Sequence, residues 1–130
     1  MPQGRPANIP GFSIYCVAAA CAALASSEDD FKQCVEEWRV RRTEVMRQLE
    51  GLPFIIPKGG WSLLLDVKKM GFNSFAASKR LLEKGNIAVT PKKDWGEKNS
   101  DQFVRLVFSN EMVARFSNLR ERVNLALQHS

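Results

Sequence analysis

Histidine is nearly missing from this 130-residue chain: the single one, His129, stands next to the last residue. That scarcity excludes Ser-His-Asp and Cys-His constellations and histidine-bearing metal centres, so no metal site is expected. If the chain belongs to an enzyme, its chemistry comes from elsewhere. Cysteine is scarce too. Cys16, Cys21 and Cys34 make an odd count without CxxC spacing, and Cys16 and Cys34 fit apolar helix faces, which reads as free thiols in a reducing compartment. No apolar run reaches the length of a membrane span, and the start, Met1-Pro-Gln-Gly-Arg-Pro, lacks the charged-then-apolar order of a signal peptide. The expectation is a soluble, cytoplasmic protein without membrane contact. Basic runs interleaved with aromatics are also lacking. The 19 cations and 14 anions are interspersed, so the net charge of +5 favours a solvated surface over nucleic-acid binding. What is present is a 45% hydrophobic content, enough for one domain with a real core.

Residues 1–12 hold three prolines and two glycines and read as an irregular lead-in or interdomain segment, with the look of a cut end. Ile14 to Leu24 is Ala-rich, a helix that offers a tightly packed face to a neighbour. Ser26-Ser27-Glu28-Asp29-Asp30 supplies an N-cap and first-turn anions to a long helix ending near Leu49, with Phe31, Cys34, Val35, Trp38, Val45, Met46 and Leu49 at three- and four-residue steps. Lys32, Arg39, Arg41, Arg42 and Arg47 between them form either a nucleic-acid stripe or, as Glu36, Glu37 and Glu44 suggest, a balanced solvated face.

Gly51 and Pro53 stop this helix. Phe54-Ile-Ile56 and Trp61 to Asp66 then read as an antiparallel strand pair, with Trp61, Leu63 and Leu65 on one side. Asn73 and Ser74 cap a helix closed at Lys84-Gly85, and Ile87 to Thr90 is a third strand. Pro91 to Ser100 is a polar loop bearing Trp95, either a lid over a core edge or a functional aromatic. Asn110 caps a final helix with Met112, Phe116, Leu119, Val123 and Leu127 on one stripe. A small, mostly antiparallel sheet with helices packed on it, an α/β (α+β) sandwich, is the economical arrangement.

The segment Asp101 to Glu111 places one cation in an apolar strand. Phe103, Arg105 and Val107 fall on one face, with Val104, Leu106 and Phe108 on the other, so the strand reads as buried on both. A guanidinium there needs a partner. Two readings stand: an internal ion pair or a charge at the rim, and a rigid fork for a bidentate substrate carboxylate.

In order, Gly59-Gly60-Trp61-Ser-Leu-Leu-Leu-Asp66, Leu81-Leu82-Glu83-Lys84-Gly85 with Ile87-Ala-Val-Thr-Pro91, Trp95-Gly96 and Phe103-Val-Arg-Leu-Val-Phe-Ser109 resemble the C-terminal small domain of the fold type I pyridoxal-phosphate-dependent aminotransferases of classes I and II. The resemblance covers about residues 11–128, and residues 13–130 are expected to form that domain. It implies that Arg105 binds the substrate α-carboxylate, that Gly60 and Trp61 lie at the active-site wall, and that the Pro91 to Gly96 loop with Trp95 borders the entrance. It also implies pyridoxal 5'-phosphate, an amino acid and 2-oxo acid as substrates, and a homodimer, all in a longer parent enzyme. The cofactor domain, with its Schiff-base lysine, has no counterpart in this chain. Ala76-Ala-Ser-Lys79-Arg80 mimics that segment, but Lys79 sits mid-helix without the expected glycines and reads as a solvated cation. No catalytic or cofactor-binding residue is therefore expected here, and the chain alone should be inactive. The alternative is a freestanding, non-catalytic binding or interaction module.

Overall fold

A computed structural model describes residues 14–96 and 98–128. The expected lead-in over residues 1–12 and the terminal His129 lie outside that range. The chain divides into two compact units, Met1–Lys32 and Gln33–Ser130.

The first unit holds helix α1, Ile14–Ala25, none of whose residues is buried, and the start of α2, Asp29–Gln48. The expected Ser26-Ser27 cap is replaced by a different arrangement. The Ser26 hydroxyl donates to the Ala23 carbonyl at 2.7 Å and so closes α1, while the Glu28 carbonyl accepts the first α2 bond from Lys32 N at 2.9 Å. Asp29 and Asp30 do occupy the first turn, where the helix dipole favours anions.

In the second unit α2 reaches Gln48, and Gly51, at φ +87°, turns the chain out of the helix. Of the seven apolar positions expected to line one stripe, Val45 and Leu49 are fully buried. Phe31, Cys34 and Val35 are exposed, so the period marks a face that most of α2 leaves uncovered.

Four strands follow: β1, Phe54–Ile55; β2, Ser62–Asp66; β3, Thr90–Pro91; and β4, Phe103–Val107. They form one antiparallel sheet in the order β1-β2-β4-β3. The register places Leu64 between Ile55 and Arg105, and Arg105 between Leu64 and Thr90. The third strand thus sits later than the expected Ile87 to Thr90, because Ile87 is buried as the chain leaves α3.

Helix α3, Ser74–Gly85, begins as the sequence suggests, with the Asn73 side chain accepting from Ala76 N at 2.8 Å. It ends one residue later than expected. Asn86 rather than Gly85 adopts the left-handed conformation, at φ 50°, and Ile87 N returns to the Leu81 carbonyl at 2.9 Å. Gly85 is needed for a different reason: a Cβ there would lie 3.2 Å from the Arg122 carbonyl.

The expected last helix is split. A short 3-10 turn, Val113–Phe116, precedes α4, Leu119–Ala126, and Asn118 takes a left-handed φ of 59° at the break. Asn110 caps no helix, and Met112 is 75% exposed. The rest of the stripe, Phe116, Leu119, Val123 and Leu127, is buried as expected.

One face of the sheet carries the core. Leu63 and Leu65 of β2 and Val104 and Leu106 of β4 join Val45, Leu49, Ala77, Leu81 and Val123 in a single buried cluster. Each such valine or leucine side chain contributes about 1.5–3 kcal/mol by leaving water. The architecture is α+β: four helices with a small, open antiparallel sheet among the described residues. No helix among them is long and apolar enough to cross a membrane.

Candidate functional site

Strand alternation puts Val104, Leu106 and Phe108 in the core and Phe103, Arg105 and Val107 on the opposite, half-covered face. The strand is therefore not buried on both sides as its apolar composition suggests. Arg105 stands on the open face, in register with Leu64 on one side and Thr90 on the other.

Two indoles meet its guanidinium. The Arg105 Cζ lies 5.0 Å from the Trp61 ring centroid and 4.5 Å from that of Trp95, over both ring faces. Such contacts contribute roughly 0.5–2 kcal/mol each, more as the cation loses water. Arg105 Nε is cut off from solvent and has no hydrogen-bond partner, and no carboxylate among the described residues pairs with the side chain. The internal ion pair considered for Arg105 is thus not formed among them. The two terminal nitrogens also lack a partner among the described residues and are not cut off from solvent as Nε is, so they are the donors free to meet a ligand.

Trp61 reaches this site by leaving the pattern of its strand. Leu63 and Leu65 face the core at 2% and 1% exposure, whereas Trp61 is 44% exposed and lies over Arg105. The cause is the turn before it. Gly60 takes φ +79°, with open space around the position of a Cβ, so the glycine is required by conformation rather than by crowding. Regular β2 pairing begins only at Ser62, and the Trp61 carbonyl accepts from Phe108 N at 3.1 Å. Gly60 supplies the turn, not a contact with the guanidinium.

Trp95 comes from the loop after β3. Lys92 N donates to the Phe103 carbonyl at 3.1 Å, Trp95 N to the Lys92 carbonyl at 2.9 Å, and the Ser100 hydroxyl to the Lys93 carbonyl at 2.6 Å. These bonds fold the loop back along β4. They bring in a residue that sequence reasoning missed: Lys92 Nζ lies 5.8 Å from the Trp95 centroid. Its signal was the three-residue spacing from Pro91-Lys92 to Trp95 across a turn.

The remaining candidates lie apart from this cluster. Lys79 is 65% exposed on α3, with Nζ 4.0 Å from Glu83 Oε1. Such a solvated lysine does not fit a cofactor aldehyde, which needs an enclosed amine beside groups for a ring and a phosphate. The arginines of α2 are engaged locally: Arg39 with Glu36 and Arg47 with Glu44 as two-bond pairs, and Arg41 with Glu37 and the Ser109 carbonyl. Their carboxylate partners feel it, since Arg47 and Gln48 hold the Glu44 carboxyl down from 4.5 to about 2, and Arg39 lowers that of Glu36. Much of the stripe's charge is thereby balanced. A concavity of about 630 Å³ beside Lys68, Phe72, Asn73 and Asp101 does not include Arg105 or either indole. There the Asp101 carboxylate already accepts from Ser74 N and Oγ at 3.2 and 2.7 Å.

No protein-family model and no curated protein sequence matches the chain. Solved structures do. An aromatic aminotransferase from Pyrococcus horikoshii OT3 superimposes with a TM-score of 0.72 at 24% identity over 84% of this chain. An aminotransferase from Staphylococcus aureus gives 0.70 at 28% over 83%, and aspartate aminotransferase from Thermus thermophilus with maleate gives 0.64 at 25% over 85%. The chain spans 30%, 29% and 27% of those three structures, less than a third of their length. Its architecture is that of the C-terminal small domain of the fold type I aminotransferases.

Proposed function

We propose that this chain is the small-domain portion of a pyridoxal-phosphate-dependent aminotransferase, moving an amino group from an amino acid to a 2-oxo acid, and that Arg105 receives the substrate carboxylate. The observation that carries this reading is a part-buried guanidinium with its terminal nitrogens open and no anionic partner among the described residues. A carboxylate is the planar, bidentate group that such a fork lacks. Trp61 forms the wall of the same site, with Gly60 setting its angle, and Trp95 stands at the mouth of the loop over residues 91–96.

In this reading residues 13–130 are the small domain, residues 1–12 lead into it, and the cofactor domain lies in a different part of a cytoplasmic, homodimeric enzyme. When bound there, the cofactor supplies the electron sink that makes loss of the Cα proton feasible. The described residues offer no fitting amine, so this chain's part is to bind and orient one carboxylate. Orientation alone leaves the barrier to proton removal in place. The isolated chain, given the cofactor and a panel of amino and 2-oxo acids, should therefore turn over no faster than the blank.

The positive test uses the enzyme that carries this segment. Changing Arg105 to Ala should raise KM and lower kcat/KM by about two orders of magnitude or more, the scale of a lost charge-assisted bidentate pair. An unchanged KM would reassign Arg105 to a structural role.

A second reading, a freestanding interaction module, is favoured by Ile55, 50% exposed and in register with Leu64 on the open face, and by the 67% exposed Ile56 that follows it. It predicts one defined oligomer by light scattering, where an uncovered domain should associate without a fixed stoichiometry.

A further inference from the structure

We infer that Trp61 and Trp95 are positioning residues for Arg105: their ring faces hold its guanidinium where no carboxylate of the described residues does, and leave its terminal N–H edge for a ligand. This rests on the carboxylate reading given above and adds the means by which the fork is kept ready.

A part-buried guanidinium must recover interactions lost with water. The usual device is an acidic side chain, and none of the described ones meets Arg105. Two indoles stand there instead, at 5.0 and 4.5 Å. The difference is functional. An acidic partner would neutralise the charge and would have to be displaced by an incoming carboxylate, whereas the negative face of an aromatic ring attracts the cation and leaves its full charge available.

The rings do little else for the fold. Trp61 is 44% and Trp95 48% exposed, and neither belongs to the buried core cluster. Each is instead oriented by backbone: Trp61 by the positive φ of Gly60 and the bond from Phe108 N, Trp95 by the turn that its own N–H makes to Lys92. Nε of Arg105 is closed off from solvent beside them, so the side chain is set to meet a ligand end-on.

The test is nuclear magnetic resonance on the 15N-labelled full chain, with the Arg105 Nε–H signal assigned by its loss in Arg105→Lys and pyruvate as the probe. In the unchanged protein that signal should be displaced by the ring currents of the indoles, exchange slowly with water, and move saturably with pyruvate. Trp61→Leu and Trp95→Leu should each move it part of the way back toward the ordinary position, speed its exchange at least tenfold, and weaken pyruvate binding by about tenfold, the scale of one desolvated cation–π contact. Trp61→Phe and Trp95→Phe, which keep a ring face, should recover affinity to within about threefold of the parent. Leucine variants that keep the displaced signal and the affinity would overturn the positioning role while leaving the carboxylate role of Arg105 intact. A free chain with an ordinary, fast-exchanging Nε–H, or one that does not bind pyruvate, would overturn the preformed fork. Equal pyruvate binding by the uncharged Arg105→Leu would sink the carboxylate reading itself, and the ring-current signature would still decide the positioning role separately.

Discussion

The two faces of the sheet are made by alternate residues of the same strands, yet they have opposite chemistry. Val104, Leu106 and Phe108 are buried in a continuous apolar cluster, while Phe103, Arg105 and Val107 are half-covered, with Arg105 against two indoles. The core face has a partner within the chain, and its side chains are replaceable only at the cost of a cavity. The open face has an arginine fork without a counter-ion among the described residues. In the proposed reading, stability and carboxylate recognition are thereby separated by a single step along β4. Mutations one residue apart should affect different measurements.

The largest effect belongs to the core face. Phe108→Ala should lower unfolding free energy by about 3–5 kcal/mol in a urea titration. Arg105→Leu on the other face should cost less, about 2 kcal/mol or below, because the two cation–π contacts it loses are offset by removing a part-buried charge that has no ionic partner among the described residues. A loss in Arg105→Leu as large as that of Phe108→Ala would break the comparison. Next in size is Asp101→Ala, which leaves the fully buried Ser74 hydroxyl and N–H without their acceptor and should cost about 1–3 kcal/mol. Asn86→Ala should follow at about 1–2 kcal/mol, the cost of a left-handed residue with a Cβ and no local polar side chain, with Asn86→Gly close to neutral.

The smallest effect is on the solvated face of α2. The folded-state pKa of Glu44 is depressed to about 2 from 4.5 by Arg47 and Gln48. Its contribution to stability is therefore fully present above the unfolded value and is lost as pH falls from 4.5 toward 2. Arg47→Ala should flatten that part of the stability profile. An unaltered acid limb would mean the pair is too exposed to matter.

Much of the fold was legible because its signals are local. Asn73 does cap α3, Phe54–Ile55 and Ser62–Asp66 do form an antiparallel pair, and Phe116, Leu119, Val123 and Leu127 do share a buried stripe. Three of the failures share a cause: one backbone angle outweighed a side-chain pattern. Asn118 at φ 59° splits the last helix, and Asn86 rather than Gly85 closes α3. Gly60 at φ +79° precedes the residue that leaves the core side of β2. Arg105 and both tryptophans could be singled out as residue types, but their convergence could not. It depends on a turn at Gly60 and on loop bonds from Lys92 and Ser100 to positions that only the folded chain brings near. Lys92, invisible as a surface lysine, emerges for the same reason.

The most direct test of the open face as a carboxylate site is a crystal structure of the chain grown with pyruvate. The account predicts the carboxylate lying end-on to Arg105, both oxygens about 2.7–2.9 Å from its terminal nitrogens, with Trp61 and Trp95 still against the guanidinium. An Arg105 side chain paired instead with a carboxylate of the chain itself, with pyruvate elsewhere, would contradict it.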